Sequence, residues 1–204
     1  MKRTSLSLVA IISLFLFSCQ KEDSIGEQKA EAELKGDWKF LNFDLDAVTS
    51  SETIGGDIGN IKSEFITNYL TENEAGTISF SDNQIFSHDL AYDVTGSILM
   101  NTYMDDDLIM NFDSTLNIPM GPSNSTTDYV RVTEDSIYCP NGSFIQIEGV
   151  EGVEQSKPGG MKLKFEGDKL ILTITQKDVQ TITEEGITQE QKSDIKMIAT
   201  LQRN

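Results

Sequence analysis

The sequence predicts a mainly β protein: an antiparallel up-and-down β-barrel of about eight to ten strands, with one helical segment after the first strand. Three observations carry this. From Gly76 onward, apolar and polar residues alternate with period two in run after run; Met161, Leu163 and Phe165 set against Lys162, Lys164 and Glu166 form one such run. The links between runs are short and built from turn formers, as in Ser81-Asp82-Asn83, Asp105-Asp106-Asp107 and Glu166-Gly167-Asp168, and short links pair successive strands antiparallel. A meander this long hides its edges best by closing on itself.

The first strand is expected within residues 34–46, LKGDWKFLNFDLD. Trp38 and Phe40 share one face by period two, while Leu41, Phe43 and Leu45 share the other, so a bend or bulge is expected near residues 40 and 41. Residues 51–71 change character. Ile54, Ile58, Ile61, Phe65 and Tyr69 recur at spacings of four, three, four and four, which is helical periodicity. The helix is expected over 58–71, capped by Asp57 or Asn60 and ended by Asn73 to Gly76. Further strands are expected at 76–81, 84–93, 96–104, 107–118, 126–133, 143–148, 161–166, 168–183 and 189–202.

The N-terminus is of a different kind. Met1-Lys2-Arg3 is positive, and Leu6 to Phe17 is apolar apart from Ser7 and Ser13. As a helix that run spans only about 18 Å, short of the roughly 30 Å of a membrane's hydrocarbon. A charged start and a short apolar run describe a secretory signal. Leu16-Phe17-Ser18-Cys19 resembles the lipobox of bacterial lipoproteins. The resemblance implies cleavage before Cys19 and lipid on that residue, and several acyl chains anchor a protein without any spanning helix. Gln20-Lys21-Glu22-Asp23 is similar to the acidic export signal that follows the lipidated Cys in surface-displayed lipoproteins. The expected organisation is a lipoprotein signal over 1–18, a lipidated Cys and flexible tether over 19–33, and one domain over 34–204. The expected location is the outer membrane, on its outer surface.

The chain holds 16 basic and 33 acidic residues, a net charge of −17. Removing residues 1–18 would take away Lys2 and Arg3 and leave −19. Such a surface repels nucleic acid, which is excluded as a partner. With Cys19 assigned to lipid, Cys139 has no second cysteine to pair with, so no disulfide framework is expected.

Catalytic and metal-ligating patterns are sparse. The single His, His88, stands in FSHDLAY with no second His beside it, whereas zinc sites draw on several His or Cys ligands. Asp105-Asp106-Asp107 reads as a solvated hairpin tip; it lacks the Asp-x-Asp-x-Asp-Gly pattern of a calcium loop. There is no phosphate-binding Gly-rich loop and no Gly-x-Ser-x-Gly elbow. The expectation is therefore a protein with no enzymatic activity, no metal and no cofactor. Six methionines follow Cys19: Met100, Met104, Met110, Met120, Met161 and Met197. Met fills irregular cores and also suits surfaces that accept varied apolar shapes.

Leu34-Lys35-Gly36-Asp37-Trp38-Lys39-Phe40 resembles the opening Gly-x-Trp strand of lipocalin-like and fatty-acid-binding-like barrels. The resemblance implies that Trp38 plugs one end of a barrel, with Gly36 preceding it and Arg203 of the last strand against it. It also implies a binding role. Two functions follow as expectations: a barrel that holds a small apolar or amphipathic ligand, or a filled barrel that docks another envelope protein or a glycan.

Overall fold

The computed structural model describes residues 33–55, 59–142, 158–184 and 186–204. Residues 35–204 form one unit and residues 1–34 another. The expected signal, tether, Cys19 and export residues Gln20 to Asp23 lie outside the described residues, as does the expected strand at 143–148.

Among the described residues nine strands follow in chain order: β1 (Gly36–Ile54), β2 (Ile61–Phe80), β3 (Gln84–Met104), β4 (Asp107–Asp128), β5 (Val130–Thr133), β6 (Ser136–Cys139), β7 (Gly159–Glu166), β8 (Lys169–Glu184) and β9 (Ile187–Arg203). All ladders are antiparallel. They build one sheet in the order β4-β3-β2-β1-β9-β8-β7-β6-β5. The meander order and the pairing of first strand with last follow the sequence reading.

Three expectations are corrected. The helix over 58–71 is replaced: residues 61–71 belong to β2, which runs unbroken to Phe80. The reason is arithmetic. Ile61, Phe65 and Tyr69 are four apart, and an even spacing also places residues on one face of a strand. Ser63 and Thr67 fill that face between them, and their small polar side chains hid the period of two. Asn73 and Gly76 end nothing; they take positive φ angles of 55° and 100° where the β2–β3 register shifts, so they mark bulges.

The expected pairs 84–93 with 96–104 and 107–118 with 126–133 are also redrawn. The first pair is one 21-residue strand. In the second, a 22-residue β4 is followed by β5 after Tyr129 alone. The short strand β6 was not foreseen.

Closure is the third correction. The sheet is not closed into a barrel, because β4 and β5 stand at its two ends with no ladder between them. Strand length explains this. β5 and β6 have four residues each and β7 has eight, far short of the long strands they would have to flank.

At the Trp38 end the short strands wrap the sheet into a core. Trp38, Phe40, Ile78, Phe80, Ile85, Ile137, Leu170 and Leu201 are buried there. Tyr129, the residue between β4 and β5, is tied here to the β2–β3 link: its N–H donates to the Asn83 carbonyl at 2.8 Å, its hydroxyl donates to the Ser81 carbonyl at 2.7 Å, and its ring lies edge-on to Phe80. The bulge expected near residues 40 and 41 is present, as a register shift between Phe40 and Asn42 against β9. It turns Phe43, Leu45 and Ala47 onto the same inner face as Trp38 and Phe40.

Candidate functional site

Beyond the core the six long strands continue as an open sheet, β8-β9-β1-β2-β3-β4. β7 pairs only with Lys169–Ile174, so among the described residues the rest of β8 is a ladder edge, and so is β4. The inner face of this extension continues the face that carries Phe43 and Leu45. Thr49, Thr67 and Thr102 on it are buried, whereas Val48 and Leu70 on the outer face are 46% and 43% exposed. The inner side is therefore the sheltered one.

The ladders set this face out in rows that cross all six strands. One row runs Asp178, Ser193, Thr49, Phe65, Met100, Phe112. The next, toward the far end, runs Gln180, Gln191, Ser51, Ser63, Thr102, Met110. On the core side lies Gln176, Ile195, Ala47, Thr67, Ile98, Ser114. Across the two outer rows the composition changes with strand. β8, β9 and β1 contribute Asp, Gln, Ser and Thr; β2, β3 and β4 contribute Phe65, Met100 and Phe112 to the first row and Ser63, Thr102 and Met110 to the second, with Ile61 and Met104 further along. Directly opposite side chains on a sheet stand about 4.5–5.5 Å apart, so Phe65, Met100 and Phe112 make a continuous apolar strip. Beside it, in the next row, the Ser63 and Thr102 hydroxyls lie 3.3 Å apart and share a hydrogen bond. Phe112 is half exposed.

The floor of the strip is Tyr69, opposite Gly96. A β-carbon on Gly96 would sit 2.1 Å from the Asn68 carbonyl oxygen and 2.7 Å from Tyr69 Cα, so only glycine admits this approach. Tyr69 packs its ring 5.9 Å from Phe43. Burial, then the nearby Tyr92, pushes the Tyr69 hydroxyl well above the ordinary tyrosine range, so it stays neutral.

The other residues singled out from the sequence lie elsewhere. Trp38 is 1% exposed and sits opposite Arg203 in the β1–β9 ladder. The Arg203 guanidinium is 4.6 Å from the indole centroid; Phe165 lies 6.2 Å from the same ring. Gly36 precedes them with φ of 117°, a conformation suited to glycine. His88 is exposed on β3 and stacks on Phe86. Cys139 is buried and unpaired; burial raises its thiol from 9.0 to about 11, so it is not a poised nucleophile.

Asp105 and Asp106 form the two-residue β3–β4 turn with φ of 48° and 70°, the mirror-type hairpin turn. Asp105 accepts the Asn60 N–H at 3.0 Å and so ties this turn to the β1–β2 link. Among the described residues no group of three or more His, Cys, Asp or Glu is placed to hold a metal ion.

Three of the methionines noted in the sequence, Met100, Met104 and Met110, fall on the apolar half of the inner face. Phe65, Ile98 and Phe112 were missed as site residues. Their signal was present only as even spacing, which does not reveal which strands become neighbours.

The arrangement defines a class: an all-β protein with an open, two-toned sheet face. No family model and no curated protein matches the chain. Among solved structures it is similar to "TodX monoaromatic hydrocarbon channel deltaS2 mutant", at 11% identity and a TM-score of 0.22, over 72% of this chain and 38% of that one. The chain thus spans well under half the length of that channel.

Proposed function

We propose that the chain is a non-catalytic, lipocalin-like binding protein, held on the outer surface of the outer membrane by lipid on Cys19, that takes a small apolar or amphipathic ligand on the inner face of its sheet. The observation that carries the ligand assignment is the change of composition along the inner rows. An apolar moiety lies against Phe65, Met100 and Phe112, and a polar one reaches Thr49, Ser193 and Gln191. Six strands at about 4.8 Å spacing give the ligand roughly 24 Å of breadth. Support for the lipocalin-like reading comes from the meander order and from Trp38 beside Arg203. The anchor and surface location rest on Leu16 to Cys19 and Gln20 to Asp23.

Nile red, a neutral apolar dye, tests the ligand face. Fully burying a large apolar side chain is worth about 1.5–3 kcal/mol. Phe112 is already half sheltered, so truncating it forfeits about 1 kcal/mol, or roughly fivefold in affinity. Met100→Ser with Phe112→Ser should therefore weaken dye binding at least about fivefold, while Val179→Ser on the outer face leaves it unchanged. Equal affinity of the double variant and the parent would refute this site. Native mass spectrometry of protein purified from its host then identifies the resident molecule.

A further inference from the structure

We infer that the free edge of β4, over Asp107 to Ile118, accepts an extended segment of another protein as an added strand, and that this segment is apolar with Lys or Arg at its charged positions.

The first observation is where exposed apolar residues fall. Among the described residues fifteen large apolar side chains are exposed, and five of them, Leu108, Ile109, Met110, Phe112 and Ile118, lie on β4. Edge strands ordinarily carry charge, proline or bulges that discourage pairing. Between residues 108 and 112 β4 instead carries a run of Leu, Ile, Met, Asn and Phe, broken only by a bulge at Ile109 where the β3–β4 register shifts; among the described residues its main-chain groups on one side are bonded to β3 and those on the other side face outward. Pro119, which has no N–H, ends the usable donor row. The free edge is thus about a dozen residues, roughly 40 Å of strand.

Charge selects the occupant. Asp105, Asp106, Asp107 and Asp113 are all exposed along this edge and its turn, and β4 carries no Lys or Arg. Direct cross-strand neighbours of opposite charge stabilise a pair, and like charges destabilise it. A second copy would bring the same aspartates and a further net charge of −17. A strand with basic residues near the Asp105–Asp107 turn and opposite Asp113 meets the complementary requirement. Main-chain bonds supply the affinity and the side-chain positions supply the choice of partner. This edge lies outside the ligand strip except at Met110 and Phe112, so the inference does not depend on the ligand assignment.

The test uses the full chain and two synthetic peptides of about a dozen residues, alternating Val and Thr. One carries Lys at two positions, the other Glu at the same positions. Binding is read by fluorescence anisotropy at low salt, and amide hydrogen exchange locates it. The expected result is that the Lys peptide binds and newly protects the outward-facing amides within residues 107–118. In the variant Asp107→Lys with Asp113→Lys, the preference reverses, with the Lys peptide weakened at least about tenfold. Both substitutions are at exposed positions, and circular dichroism checks that the fold survives. Binding of neither peptide, protection confined to other strands, or an unchanged preference in the variant overturns the inference. So does a free protein whose outward-facing amides within residues 107–118, the ones not bonded to β3, are already protected, by its own residues or by self-association seen in sedimentation velocity.

Discussion

Replacing Gly96 by alanine tests the close approach of β3 to β2 at Tyr69. The added methyl meets the Asn68 carbonyl oxygen at 2.1 Å and Tyr69 Cα and Cβ at 2.7 Å. These are atoms of β2 itself, so no rotamer change relieves the clash. β2 and β3 must separate locally by almost 1 Å. Gly96 has no left-handed φ, so the penalty is steric rather than conformational. Overpacking typically destabilises by about 1–3 kcal/mol, and a clash with main chain belongs at the upper end. Alanine's smaller entropy loss offsets about 0.5–1 kcal/mol, leaving Gly96→Ala about 2 kcal/mol less stable. Gly160 in β7 is the matched control, because its added methyl would find only the Ile137 carbonyl oxygen, at 3.8 Å. Gly160→Ala should be about 0.4–1 kcal/mol more stable than the parent. Urea unfolding of both variants, followed by circular dichroism and Trp38 fluorescence, measures the difference. If the two differ by less than about 1 kcal/mol with equal m-values, the close β2–β3 approach at Tyr69 is wrong, and with it the floor of the ligand strip.

Other outcomes follow from the same structure. Trp38→Ala, which empties a fully buried site, should lose about 3–5 kcal/mol, a large share of a domain's usual 5–15 kcal/mol. Arg203→Ala, at an exposed position, should lose only about 0.5–1 kcal/mol; equal losses in urea unfolding would mean the indole is not the core residue of this end. Cys139 is held neutral by burial, so its contribution is fully present below about pH 9 and is lost as pH rises through about 11. At about 1.4 kcal/mol per pH unit, the stability of the parent relative to Cys139→Ala should fall by up to about 2.7 kcal/mol over that window; a flat difference would show the thiol is not buried. Cys19→Ala should leave the outer-membrane fraction, and a variant that still sediments with membranes would remove the anchor assignment. Protease added to intact cells should digest the parent; full protection would contradict surface display.

Local chemistry made much of this protein legible from its sequence. Period-two runs such as Met161 to Glu166 and Leu170 to Thr175 encode strands because a strand's two faces meet different solvents. Turn residues at Asp105-Asp106 and Gly167-Asp168 encode the hairpins, because few residues tolerate positive φ. The bulge after Phe40 was readable because apolar residues change face there. The stretch 61–71 was misread because a spacing of four satisfies a helix nearly as well as one face of a strand; the ladders to β1 and β3 decided it. No local signal states how many strands pair with which, or how far. The length of β4, the brevity of β5, β6 and β7, and so the open sheet, arise from long-range ladders. Only those ladders set Phe65, Met100 and Phe112, which are far apart in the chain, side by side. They also left β4, with its run of apolar side chains, at an edge.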